Sequence, residues 1–280
     1  MQTLRRIDLM SIGKIYAALG AIYGLVAALV LDAMFAVLGT ALFPASVGGA
    51  LGGAVLIGLP ILGIIGGAIL GFIFSVIGAA IYNVIAEAIG GVKFNISGKP
   101  TNVNKIDVAS YVKIVAIGAL IAGLVLGIIA TFALPSLLSS AMAGTGGAVL
   151  GLVSGFALIG LPILFLIIGA VGAAIYAVLF NFFVKNVGGI VVNISKKPMA
   201  LKRVDPMSYA KIVTLIGVVM TLIIGVITAL GTGHDFAVGA VKIVTSLITN
   251  VIVTFVSAYI GILIFNFVAS KTGGIVIDLK

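Results

Sequence analysis

The stretch IDVASYVKI, residues 106–114, occurs three times in this chain in related form. It appears as IDLMSIGKI at residues 7–15 and as VDPMSYAKI at residues 204–212. Each copy is followed by a long apolar stretch, and the three aspartates are 99 and 98 residues apart. Self-similarity at a fixed period predicts that one structural unit is repeated in tandem.

Each copy also closes on two glycines followed by a short apolar stretch. The three closings are GGVKFNI at 90–96, GGIVVNI at 188–194 and GGIVIDL at 273–279. Together with the openings, they divide the chain into three repeats, at residues 1–98, 99–197 and 198–280.

The composition predicts an integral membrane protein. Hydrophobic residues make up 62% of the chain and charged residues only 8%, whereas a soluble domain carries about 25% charged residues. So few charges cannot cover a water-facing surface. The 38 glycines are typical of membrane helices that approach one another closely.

The same composition argues against an enzyme. The chain has no cysteine, which excludes disulfides, thiolate metal ligands and cysteine nucleophiles. The single histidine, His234, is assigned to an outer loop and cannot form a metal site alone. No nucleophile–base pair recurs, and no charged residue lies near a predicted midplane, where ion-coupled transporters keep theirs. We therefore predict no enzymatic activity, no metal and no cofactor.

The basic residues are distributed unevenly along the chain. Fifteen of the 16 Lys and Arg residues lie at 5–14, 93–113, 185–211, Lys271 and Lys280. The opposite loops, near 40–52, 134–147 and 230–239, contain none. The positive-inside rule then places both termini and both linkers between repeats in the cytoplasm. We interpret the basic clusters as topology signals that contact anionic lipid headgroups, rather than as a nucleic-acid site.

Each repeat is predicted to contain two membrane-spanning helices, because both of its ends lie on the same side. The Gly-rich segments 46–58 and 144–160 precede Pro60 and Pro162. Proline favours the first turn of a helix, so the second spans should begin near these prolines. The segments before them would be short half-helices that are re-entrant, kinked or outside the membrane.

The third repeat has no such proline, so its second helix should run unbroken from about Phe236 to Ser270. The third copy is therefore predicted to be structurally different from the other two.

The ends of the repeats predict short strands. Residues 92–97 alternate between apolar and polar side chains, which is the pattern of a half-buried strand. The openings at 103–106 and 201–204 have apolar residues three apart, which predicts a bulge. Each closing strand should pair with the next opening strand, and residues 275–279 with residues 3–7.

The predicted fold is therefore an all-α membrane protein of six or more transmembrane helices, in three two-helix repeats. A small cytoplasmic β cap would lie at one end, and the modules would pack about a pseudo-threefold axis.

Two sets of repeated polar residues are candidate site residues. Each aspartate stands before a helix, with a serine three residues later, and is predicted to cap that helix. The alternative is a ring of carboxylates at a pore entrance. The lysine six residues further on is predicted to contact lipid headgroups, or else to form a cationic ring or a lipid phosphate site. These residues are Asp8, Asp107 and Asp205, and Lys14, Lys113 and Lys211.

Three asparagines precede the double glycines by seven residues: Asn83, Asn181 and Asn266. An amide in hydrocarbon needs a partner, so these side chains are predicted to join helices or to line an axial path as a polar ring. Asp32 and Lys242 have no counterparts in the other repeats. We predict that they form an ion pair between the first and third modules.

The opening VDPMS at 204–208 with Lys211, and the closing YNVIAEAIGGV at 82–92, resemble a two-helix transmembrane domain of unknown function in actinobacterial membrane proteins. That domain occurs singly, with an Asp-Pro-x-Ser opening and a Tyr-Asn…Gly-Gly-Val close. The resemblance covers both ends of the three repeats but not their Gly-rich middles. The proline is present only in the third copy, and Tyr-Asn only in the first. The resemblance implies membrane location and two helices per module, with trimers of single-domain relatives.

Two functions are compatible with these features. The first is a non-enzymatic scaffold or accessory protein that organises lipids or other membrane proteins, and that has a membrane-protein partner or forms homo-oligomers. The second is a passive channel or transporter with a path along the pseudo-threefold axis. Few polar residues recur along one helix stripe, which favours the scaffold.

Overall fold

In a computed structural model, the chain forms six long helices and a small β-barrel. The structure describes residues 1–42, 45–138, 146–231 and 236–280, without the side chains of 36–56, 135–150 and 236. His234 lies outside the described residues. The helices are α1 (Leu9–Leu42), α2 (Ala45–Ile89), α3 (Val108–Leu138), α4 (Gly146–Val187), α5 (Pro206–Gly231) and α6 (Phe236–Thr272).

Within the described ranges, six helices are long and apolar enough to cross a membrane. Their lengths and composition indicate a multi-pass membrane protein. Helices pair as hairpins, α1 with α2, α3 with α4 and α5 with α6. Neighbouring hairpins touch through α2 and α3, α4 and α5, and α6 and α1.

The strands form a closed barrel at the end of the helices where the hairpins begin and finish. They are β1 (Gln2–Ile7), β2 (Lys93–Ser97), β3 (Asn102–Ile106), β4 (Ile190–Lys196), β5 (Met199–Val204) and β6 (Ile275–Leu279). The predicted antiparallel pairs β2–β3, β4–β5 and β6–β1 are confirmed. Further pairs, β1–β2, β3–β4 and β5–β6, close the sheet, so that no strand edge stays free.

β3 and β5 carry the bulges that their spacing predicts, and β1 carries one as well. The pairing register skips one residue in each strand, at Arg5, Asn104 and Lys202. The extra residue lets apolar side chains three positions apart both face the inner side. In β5, for example, Val204 is buried and Leu201 half-buried, while Lys202 and Arg203 between them are exposed.

The core lies where the barrel meets the helices. Buried strand residues pack against the first turns of the odd-numbered helices and the last turns of the even-numbered ones. Val103 and Ile190 contact both halves of this core. The fully buried side chains with the largest volumes are Phe180, Ile15 and Ile212.

The predicted half-helices before the two prolines are wrong. Pro60 and Pro162 lie inside α2 and α4, which are continuous over 45 and 42 residues. The Gly-rich segments form the first turns of these helices where the structure describes them. Proline costs a helix one hydrogen bond, but membrane helices tolerate it when neighbouring groups adjust. In the second hairpin, Gly123 of α3 lets the two helices approach closely at Pro162 of α4. A β-carbon on Gly123 would lie 2.8 Å from Cα of Pro162.

α6 runs without a break, as predicted. Because α2 and α4 are continuous as well, this does not distinguish the third hairpin from the others. The contact between its two helices does differ from that of the first hairpin. Gly20 and Gly24 of α1 face Gly63, Gly67 and Gly71 of α2 in the first hairpin. In the third, by contrast, a β-carbon on Gly217 would lie 3.0 Å from Asn250 Oδ1, so α5 meets a polar side chain.

Candidate functional site

Three asparagines fasten the helices to the barrel. The Asn83 amide accepts a hydrogen bond from the Ile7 N–H at 2.8 Å and donates one to the Ile7 carbonyl at 2.8 Å. Asn181 makes the same two bonds with Ile106, at 2.8 and 2.8 Å. Asn266 makes them with Val204, at 2.9 and 2.8 Å. Each amide therefore forms the two backbone hydrogen bonds that a residue of a neighbouring strand would otherwise form.

This arrangement corrects the prediction that the asparagines join one helix to another. Each amide donates one hydrogen bond to the backbone of an opening strand and accepts one from it, so it joins a helix to a strand. The polar ring along an axial path stays a prediction.

The three aspartates cap their helices, as predicted. Carboxylate oxygens of Asp8, Asp107 and Asp205 accept the backbone N–H of the serine three residues later, at 2.7, 2.8 and 2.7 Å. A cap of this kind satisfies one of the free N–H groups in the first helical turn. The geometry assigns the carboxylates to helix ends.

The serines have a second role that the sequence did not reveal. Each serine hydroxyl accepts a hydrogen bond from the N–H of a residue in a closing strand. The carbonyl of that same residue accepts a hydrogen bond from the N–H of the capping aspartate, at 2.9 Å. The bonds from Val276 to Ser11, from Lys93 to Ser110 and from Val191 to Ser208 measure 2.9, 3.0 and 3.1 Å. The only sequence signal for this role was the constant spacing of aspartate and serine.

The cap on α3 makes stability depend on pH. The hydrogen bond from the Ser110 N–H holds the pKa of the Asp107 carboxyl below its usual 3.8, and nearby Lys93 and Lys105 add to this effect against partial burial. Because the pKa of Asp107 is lower in the folded state than in the unfolded state, its carboxylate stabilises the fold at pH values above the unfolded-state pKa. This stabilisation is lost as the pH falls through the folded-state pKa.

We therefore expect Asp107→Asn to melt below the wild type at pH 7, with the difference shrinking as the pH falls below about 4. Asn is itself a good cap and does not titrate. Thermal unfolding of both proteins between pH 7 and pH 3 measures the difference. A constant difference down to pH 3 would contradict the role of the charged cap.

The outer surface of the barrel and its turns is basic. Lys14, Lys113 and Lys211 are exposed about two turns into α1, α3 and α5, so their contact with headgroups stays a prediction. The strands, the turns between them and the residues directly after the strands carry ten exposed Lys and Arg residues against two exposed acids, Asp8 and Asp278. The ten are Arg5, Arg6, Lys93, Lys99, Lys105, Lys196, Lys197, Lys202, Arg203 and Lys280.

The predicted ion pair between Asp32 and Lys242 is not formed. Asp32 is 5% exposed, and neither carboxylate oxygen has a hydrogen-bond partner among the described residues. It lies one turn beyond Ala28, whose side chain would be 2.9 Å from a β-carbon on Gly63, so it faces α2. Lys242 instead lines a groove between α5 and α6.

Within the described ranges, no group of three or more His, Cys, Asp or Glu residues could hold a metal ion. Comparison of the chain with protein-family models, with curated proteins and with solved structures found no match. The function of this protein therefore has to be inferred from its own residues.

Proposed function

We propose that the protein is a non-enzymatic membrane scaffold that organises anionic lipids or other membrane proteins through the basic surface of its barrel. The charge of that surface carries the proposal, with ten exposed cations against two exposed acids. Each Lys or Arg near an anionic membrane surface contributes about 1 kcal/mol of attraction. A closed barrel fixed to six helices would hold these cations at a constant position beside the membrane.

We further propose that the chain consists of three tandem units about a pseudo-threefold axis, with the barrel and both termini in the cytoplasm. The order strand–helix–helix–strand occurs three times along the chain. The aspartate, serine and asparagine bonds occur once in each unit. The basic barrel end fits the positive-inside rule. The openings and closings of the three units resemble a domain that occurs singly in other proteins. Such single-domain proteins would build the same barrel as trimers.

A passive channel or transporter along the axis is less well supported. The barrel contains buried apolar side chains from several strands, including Ile106, Val192 and Val204. The asparagine amides, the best candidates for a polar lining, are engaged by backbone groups.

The lipid preference of the barrel surface tests the scaffold. Arg6, Lys105 and Arg203 are exposed cations, each placed directly before the last residue of its strand. Changing all three to glutamine should lower the preference of the membrane protein for phosphatidylglycerol over phosphatidylcholine by about five-fold or more. Electron paramagnetic resonance of spin-labelled lipids in reconstituted vesicles measures this preference.

The matched control is the pair Arg6→Lys and Arg203→Lys, which keeps the charge and should keep the preference. High salt should weaken the preference of the wild type, because screening shortens the range of the charges. An unchanged preference in the glutamine variant would count against the lipid scaffold. Ion flux through wild-type vesicles would favour the channel instead.

A further inference from the structure

A polar groove lies between α5 and α6, in the half of the hairpin that is remote from the barrel. Its volume is about 670 Å³. One wall carries Thr221 and Thr228 of α5, and the other carries Lys242, Thr245 and Ser246 of α6. The rest of the lining is apolar or glycine, including Ile224 and Val241. The groove thus combines one ammonium group and several hydroxyls with an apolar wall.

Lys242 has no ion-pair partner in the part of the chain that the structure describes. It is exposed, and it is the only Lys or Arg residue outside the basic zones of the sequence. A cation on a membrane helix lies at the headgroups or pairs with an anion, because hydrocarbon solvates it poorly.

The position of Lys242 along α6 matches the headgroups of the leaflet remote from the barrel. Lys271 lies in the last turn of α6, beside the barrel, and 29 residues separate it from Lys242. At 1.5 Å per residue this is about 43 Å along the helix axis. A bilayer measures about 40–45 Å between the outer limits of its headgroup regions. If Lys271 lies at one headgroup layer, Lys242 therefore lies at the other.

We propose that this groove binds an anionic phospholipid, with its headgroup phosphate at Lys242 and part of an acyl chain along the apolar wall. A lysine ammonium binds phosphate as a compact point charge. Hydroxyl groups donate further hydrogen bonds to phosphate oxygens, and Thr245 and Ser246 lie within one turn of Lys242. A free inorganic phosphate would use the same polar groups but not the apolar wall.

A fluorophore placed beside the groove tests the proposal, and the absence of cysteine makes a single label specific. Val238 is exposed one turn before Lys242, so Val238→Cys carries the label. Spin-labelled phosphatidylglycerol should quench this fluorophore about five-fold more effectively than spin-labelled phosphatidylcholine. Lys242→Gln should abolish the difference, while Lys271→Gln on the same helix should leave it unchanged.

A second label, at Phe132→Cys, reports on lipid away from the groove. Phe132 is 78% exposed on α3 and lies six residues before the end of that helix, as Lys242 lies six residues after the start of α6. Both lipids should quench it equally. Equal quenching at Val238→Cys, or a preference that survives Lys242→Gln, would overturn the proposal. So would inorganic phosphate that removes the preference at millimolar concentration, because the ligand would then be a free anion.

Discussion

Gly67→Leu is expected to separate α1 from α2 and to destabilise the protein by about 3 kcal/mol or more. A β-carbon on Gly67 would collide with the carbonyl of Gly20 and lie 3.2 Å from Cα of Gly24 in α1. The colliding atoms belong to the backbone, so no side chain can rotate away. The helices would have to move apart along the whole glycine contact.

This cost is large because packing holds membrane helices together. Lipid tails are as apolar as the side chains, so helices associate through close van der Waals contact and hydrogen bonds rather than through the hydrophobic effect. In the first hairpin, carbonyls of one helix lie directly against the glycines of the other. Moving the helices apart removes that contact.

Gly66→Leu is the matched control, because a β-carbon on Gly66 would meet nothing within 4 Å. The two variants add the same side chain to adjacent positions of one helix. Thermal unfolding in a mild detergent, followed by circular dichroism, compares them with the wild type. Equal melting temperatures for the two variants would show that the glycine contact does not stabilise the hairpin.

Asn181→Leu is expected to destabilise the protein by about 2–4 kcal/mol, because a buried polar group left without a partner costs about 1–3 kcal/mol. The change removes both partners of Ile106, whose N–H and carbonyl each lie 2.8 Å from the amide. Ile106 is 6% exposed, so water does not readily replace them. Leucine has a similar size, so the effect should come from the lost hydrogen bonds and not from a cavity.

Asn186→Leu serves as the control on the same helix. Asn186 is exposed, and its amide donates only to the Phe182 carbonyl in its own helix. Melting temperatures should fall for Asn181→Leu and stay near the wild type for Asn186→Leu. Hydrogen exchange should also speed up at the Ile106 amide in the first variant. An unchanged exchange rate at Ile106 would contradict the proposed attachment of strand to helix.

The features that the sequence predicted correctly depend on local geometry. Asp107 and Ser110 are three residues apart, and the cap needs only that spacing and a following helix. The bulges follow from the spacing of apolar residues within one strand. The pairing of β2 with β3 follows from the short turn between them.

The features that the sequence did not predict depend on distant contacts. Asn181 and its partner Ile106 are 75 residues apart, so recurrence indicated a buried amide but not what it bonds. Pro60 fits the pattern of a helix start, whereas α2 continues through it because a membrane favours continuous helices. The depth of Asp32 in the membrane matches that of Lys242, but its position around the axis of α1 directs it towards α2.

The pairing of β1 with β6 has a consequence for biosynthesis. β1 ends at Ile7 and β6 begins at Ile275, so β1 is made roughly 13–54 s before β6 at ribosomal rates of about 5–20 residues per second. The hairpins β2–β3 and β4–β5 can pair as soon as they emerge. During that interval one edge of β1 has no strand beside it, which makes the nascent chain vulnerable to pairing with another chain.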